Sequence, residues 1–170
     1  CGLKKQVSII TESAMRGEID FTESLTRRVG LLAGLEETAL NTVYQERLTY
    51  SPGAETLIHA VSQAGLKTML LSGGFTFFTE RIMNDLGMDT QCANLLEIVN
   101  GKLTGRVLGD IVDAQKKADA LLQFCHANKT TPDRAIAVGD GANDLVMMHH
   151  AGVSIAYRAK PKVASKATHA

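Results

Sequence analysis

Two short stretches carry residue types that could do chemistry. "LLSGGF" at 70–75 sets a hydroxyl, Ser72, beside two glycines, and "AVGDGANDLVMM" at 137–148 sets Asp140 and Asp144 four apart with Asn143 between them. A hydroxyl, unhindered backbone N–H groups and the start of a helix make a seat for an anion, phosphate above all. Two carboxylates on a glycine-flanked loop make a seat for a hard cation. Mg²⁺ takes one or two carboxylates and completes its shell with waters and phosphate oxygens. The two seats together point to phosphoryl transfer or hydrolysis. Such a site needs a cation to balance the phosphate, and Lys102, Lys116 and Lys117 are the local candidates. Taken singly, either stretch is also compatible with a plain turn. The second is not a dinucleotide fingerprint, because Asp144 stands where G-x-G-x-x-G needs its last glycine. Nor is it a Walker A loop, because no G-K-[ST] follows.

The elements that must position these residues follow from the apolar pattern. "LKTMLLS" and "RAIAV" predict short buried strands, the first ending at Ser72 and the second just before Asp140. A helix follows each: "TFFTERIMNDLG", with Thr76 as candidate N-cap and Gly87 as stop, and "NDLVMMHHA". Ligands of open α/β sheets bind beyond the carboxyl ends of the strands, so both corners fall on one rim. A helix over 113–126 carries Lys116 and Lys117, "VSIAY" reads as a further strand, and "KPKVASKA" starts a last helix. Asn100-Gly101 between two strand-like runs predicts a hairpin. Helices alternating with short apolar strands imply a parallel sheet covered on both faces.

The first fifty residues read as helices instead. One spans 4–18. A second opens at Asp20, with Glu23 three residues on, presents Phe21, Leu25, Val29 and Leu32 as one stripe, and ends at Gly34. A third covers 36–48, and "SPG" at 51–53 is the boundary, giving a helical region 1–50 and an α/β region 51–170. Glu12, Arg16, Glu18, Asp20 and Arg27 read as solvated charges, Met147 and Met148 as packing, and adjacent His149 and His150 as too divergent on a helix to share a metal.

Composition narrows the class. Lys+Arg and Asp+Glu balance at 18 each, so no basic surplus argues for nucleic acid or an anionic membrane, and no apolar run approaches a membrane span. A chain of 170 residues, 45% hydrophobic and 21% charged, suits one globular domain with a small insertion. Cys1, Cys92 and Cys125 have no CxxC spacing and read as free thiols of a reducing, cytoplasmic compartment. A homodimer stays open.

"LLSGGF", the lysine of "DAQKKADAL" and "AIAVGDGANDLVMM" resemble motifs II, III and IV of the haloacid dehalogenase superfamily. "AMRGEIDFTESLTRRVGLL" at 14–32 and "NLLEIVNGKLTGRV" resemble its phosphoserine phosphatases more specifically. The resemblance implies an α/β fold with a Rossmann-like parallel sheet and a small helical cap, Mg²⁺ as cofactor, and O-phosphoserine as substrate on the way to serine. It implies that Ser72 and the Gly73 amide hold the phosphate and that Lys117 neutralises its charge. Asp140 would ligate Mg²⁺, Asp144 would support that site, and Asn143 would contact phosphate or substrate. Arg28 would pair with the substrate carboxylate, bidentate recognition being what a guanidinium does well, with Met15 and Phe21 lining the cap side.

One motif of that family is missing. D-x-D-x-T supplies its nucleophile and its general acid from the first strand, and no D-x-D occurs in these residues. The expectation is an N-terminally truncated fragment lacking its first strand and inactive alone. The rival readings are a phosphatase of the same superfamily acting on another small phosphate monoester, and a non-catalytic remnant that binds phosphate or a partner.

Overall fold

The computed structural model describes residues 3–170; Cys1 lies outside them. Three helices come first: α1 (Lys4–Met15), α2 (Phe21–Gly30) and α3 (Thr38–Arg47). Asp20 caps α2 as expected, its carboxylate accepting the Glu23 N–H at 2.7 Å. The helix ends at Gly30 rather than Gly34, which sits at φ +81° beyond a further turn. Leu25 and Val29 are buried, with Phe21 and Leu32 packed beside them, so the predicted stripe is the inner face.

The α/β portion runs α4 (Ala54–Gln63), β1 (Met69–Phe75), α5 (Thr76–Leu86), β2 (Thr90–Val99), β3 (Lys102–Leu108), α6 (Ala114–Ala127), β4 (Ile136–Gly139), α7 (Leu145–His150), β5 (Val153–Ala156) and α8 (Pro161–Ala164). The predicted hairpin is β2–β3, with Asn100 and Gly101 both at positive φ, as a tight two-residue turn requires. Thr76 is the first residue of α5 and not its cap. Phe75 holds the extended cap position, so no hydroxyl is placed to take the first N–H groups. Met147 and Met148 are buried and both histidines exposed. Cys92 is half-buried, and Cys125 is buried in the α6–α7 core.

The strands form two sheets. β1 and β2 are parallel and β2 pairs antiparallel with β3, while β4 and β5 form a separate parallel pair. A parallel sheet covered on both faces but lacking its first strand was the expectation. β1 and β4 each present a free edge, and Ile136 and Val138 are 58% and 48% exposed. Each sheet has its own core. Leu25, Val29, Leu40, Phe77, Leu96 and Leu103 join α2 and α3 to the hairpin and α5. Leu121, Cys125, Ala137 and the two methionines join α6 and α7 to β4. Leu103 is 2% exposed, and its backbone pairs with Gly34 and Leu35, so the hairpin is stitched directly to the helical region.

Along β1, regular pairing stops at Leu71 and resumes at Phe75. That is an advance of four residues against two on β2, from Cys92 to Asn94. Ser72, Gly73 and Gly74 are therefore a bulge within the strand, not the residues after its end. Bulges commonly re-aim side chains at sites.

Candidate active site

At the β1 corner the bulge turns Ser72 into the space between the sheets. Its Oγ accepts the Gly74 N–H at 2.9 Å, which leaves the hydroxyl proton free to donate outward. A side chain on Gly73 would come within 2.9 Å of the Phe21 ring, so the glycine lets α2 close over the loop. Immediately beyond, α5 begins with no side-chain cap on its N–H groups. The corner is neutral, rich in donors and free of carboxylates, which suits an anion.

At the β4 corner a 3₁₀ turn at Ala142–Asp144 precedes α7. It folds Asp144 back under the loop. The carboxylate accepts the Asp140 N–H at 3.2 Å, the Gly141 N–H at 3.1 Å and the Lys117 Nζ at 2.7 Å. Lys117 and Asp144 are 6% and 7% exposed, a buried ion pair between α6 and the loop. Gly139 is required by packing, since a Cβ there would lie 2.6 Å from the Asp144 Cβ. Asp140 points outward, exposed, and its carboxylate accepts no hydrogen bond from the described residues.

The three candidate lysines separate cleanly. Lys102 pairs with Glu36 and Lys116 with Asp110, both at the surface, and only Lys117 reaches the space between the corners. That space is a groove of about 680 Å³. Ser72, Gly73, Lys117, Asp140, Asn143 and Asp144 line it from the core. Phe21 and Arg28 line it from α2, with Val7, Leu25 and Leu32 contributing apolar wall. Arg28 donates from Nε to the Ser24 carbonyl at 3.2 Å and has no acidic partner among the described residues. Met15 is the one expected residue left out. It is 72% exposed at the end of α1, where the chain turns away at Gly17; Val7 is what that helix turns to the groove.

Two features escaped the sequence reading. The apolar wall from Val7, Leu25 and Leu32 shares its spacing with ordinary core residues. Asn94, 1% exposed on β2, bonds the loop carbonyls of Gly73 and Gly74, and nothing local in "CANLLE" marks it.

A divalent cation fits this donor set in part. Asp140 offers a free hard oxygen beside a groove suited to phosphate, whereas Asp144 is already engaged by Lys117 and two amides. Among the described residues no cluster of three or more His, Cys, Asp or Glu could enclose a metal. The fit is therefore to an ion that draws further ligands from water, phosphate or added carboxylates, as Mg²⁺ does.

Known proteins resemble the chain over nearly its whole length. A phosphoserine phosphatase of Polaromonas sp. is 51% identical over 171 residues, covering 98% of this chain and 72% of that protein. One from Idiomarina loihiensis is 53% identical, covering 92% of this chain and 70% of that protein. The unliganded crystal structure of a probable phosphoserine phosphatase from Vibrio cholerae superposes with a TM-score of 0.92 at 45% identity, over 99% of this chain and 52% of that one. A substrate-bound phosphoserine phosphatase complex gives 0.90 at 36% identity, over 99% of this chain and 80% of that one. The model of the haloacid dehalogenase-like hydrolases matches residues 8–149, with both corners and Lys117 inside the match, and the chain belongs to that family.

Proposed function

We propose that the groove binds O-phosphoserine, and that with Mg²⁺ and a D-x-D-x-T strand seated between β1 and β4 it hydrolyses that ester to serine and phosphate, in the cytoplasm, as the closing step of serine synthesis. The observation that carries this reading is Arg28. Its guanidinium, lacking an acidic partner, lines the same groove as Ser72, Lys117 and Asp140. A ligand with phosphate at one end and carboxylate at the other meets both. The names of the similar proteins support the same substrate.

In this reading the Ser72 hydroxyl and the Gly73 amide donate to phosphate oxygens. Lys117, fixed by Asp144, balances their charge, and Asn143 contacts the phosphate or the substrate. Arg28 selects the carboxylate while Phe21 closes the apolar side and excludes water. Asp140 would hold Mg²⁺, with Asp144 supporting the loop; the ion's contribution when bound is to neutralise phosphate charge. The nucleophile and the general acid are assigned to the aspartates of D-x-D-x-T, which residues 1–170 do not contain. The free edges of β1 and β4, both on the groove, support a strand between them. The helical region 1–50 then acts as the cap over the α/β region 51–170.

Calorimetry with O-phosphoserine and phenyl phosphate tests the assignment. Arg28→Ala is expected to weaken phosphoserine binding by about 1.5–3 kcal/mol, roughly 10- to 150-fold, and to spare phenyl phosphate. Residues 1–170 alone should bind without releasing phosphate, and an added D-x-D-x-T strand should restore release. Equal losses for both ligands would remove Arg28 from selection. Turnover by residues 1–170 alone, abolished by Asp140→Asn, would overturn the division of labour.

A further inference from the structure

We infer that Asn94 is a positioning residue that sets the Ser72–Gly74 loop against the helix carrying Lys117; the inference rests on the phosphate seat proposed above. Its side chain is 1% exposed, and its hydrogen bonds go to two segments far apart in sequence. Nδ2 donates to the Gly73 carbonyl at 3.0 Å and to the Gly74 carbonyl at 3.1 Å. Oδ1 accepts the Val112 N–H at 2.8 Å. Val112, itself 3% exposed, precedes Asp113, which caps α6 by accepting the Lys116 N–H at 2.8 Å. One carboxamide therefore spans from the bulge to the first turn of the lysine helix.

The bulge explains why such a residue is needed. Where β1 leaves its ladder with β2, two carbonyls lose their strand partners. Buried carbonyls without partners are costly. Asn94, the residue opposite Phe75 where pairing resumes, supplies both missing donors from its side chain.

This bonding also fixes direction. In a trans peptide the carbonyl and the following N–H point opposite ways. Drawing the Gly73 carbonyl back onto Asn94 therefore aims the Gly74 N–H away from it, onto Ser72 Oγ. That bond orients the hydroxyl and leaves its proton free for a ligand. Asn94 does not itself line the groove. It acts through the Gly73–Gly74 peptide on Ser72, and through Val112 on the start of α6.

Asn94→Asp dissects the role, because it keeps the acceptor for Val112 and replaces the donors with an oxygen facing two carbonyls. Leu103→Ala, at a buried site on β3 that does not itself line the groove, serves as the control for simple destabilisation. The readouts are inorganic phosphate affinity by calorimetry and amide hydrogen exchange by NMR. Asn94→Asp is expected to weaken phosphate about tenfold and to speed Gly74 exchange by at least about tenfold, with Val112 protected as before. Leu103→Ala should lower the melting temperature and leave phosphate affinity unchanged. If Asn94→Asp does not fold, Asn94→Ser, whose shorter side chain cannot span the three bonds, is read by phosphate affinity and Gly74 exchange alone. Phosphate affinity and Gly74 exchange both within about twofold of the unsubstituted protein would overturn the inference, as would an equal affinity loss in Leu103→Ala. Absence of phosphate binding by the unsubstituted protein would overturn the phosphate seat instead, and Gly74 exchange would then decide the role of Asn94 by itself.

Discussion

Within β1 the backbone leaves its ladder and is caught by a side chain 21 residues away, Asn94. At the end of β4 it is caught by one only four residues on, Asp144. The first corner is held by a neutral amide reaching in from a neighbouring strand. The second folds onto its own carboxylate, and charge is then supplied from outside by Lys117. The difference fits the roles proposed for the two corners. An anion seat has to stay free of negative charge, so a carboxamide is the fitting anchor. A cation seat tolerates carboxylates, and a buried one becomes affordable once a lysine neutralises it.

Breaking the charged anchor should have the largest effect. Lys117→Met leaves Asp144 buried without its counter-ion, at an expected cost of about 3–5 kcal/mol in urea unfolding. A loss below about 1 kcal/mol would mean that the two amides suffice, and that the corners are more alike than the charges suggest.

A steric comparison comes next. Alanine at Gly139 would place its Cβ 2.6 Å from the Asp144 Cβ, against a backbone-anchored atom that cannot retreat. Alanine at Gly74 would meet only the Ser72 Oγ, at 3.0 Å. Gly139→Ala should therefore cost about 1–3 kcal/mol, and Gly74→Ala less than half of that. Thermal melts of both variants read the order directly, and a reversed order would place the tighter packing at the wrong corner.

The smallest effect lies at the far end of the same strand pair. There Asp89 accepts from Lys67 Nζ at 2.6 Å and from the Thr68 N–H at 2.8 Å. The Lys67 ammonium first, and then the Thr68 amide, hold the Asp89 carboxyl below its ordinary 3.8. A lowered folded-state pKa means that this stabilisation is complete above 3.8 and drains away as pH falls through the folded value. With a third of the side chain exposed, it should amount to about 0.2–1 kcal/mol. Asp89→Asn should cost that much near neutrality and nothing in strong acid, whereas the amide anchor at Asn94 contributes no such pH dependence. A gap between Asp89→Asn and the unsubstituted protein that persists at low pH would point to packing instead.

These contrasts also show what the sequence made legible. The Asp140–Asp144 corner, the Asp20 cap and the Asn100-Gly101 turn are local devices, in which residue types within five positions dictate the geometry, and each was readable. The β1 corner was half legible. The glycines and serine announced a break, but the strand was placed three residues early, because its start depends on Asp89 and its bulge on Asn94, both more than twenty residues away. Choosing Lys117 over Lys102 and Lys116 rested on resemblance, since only the fold shows that the other two find acids at the surface. Thr76 misled because the extended residue before a helix, not the nearest hydroxyl, takes the cap position. The division into two sheets was invisible to periodicity, which reports burial and never a strand's neighbour.

The divided sheet has a consequence for the company the chain keeps. Natural edge strands are blunted by charge, proline or a covering element. β1 reads MLLSGGF and β4 reads IAVG, with neither a charge nor a proline between them. Both are written as interior strands while each lacks a neighbour on one side. An unguarded edge of this composition is a template for any extended peptide, including another copy of the same strand. The edges that flank the groove are thus also adhesive toward backbone, and an element seated between them would protect solubility.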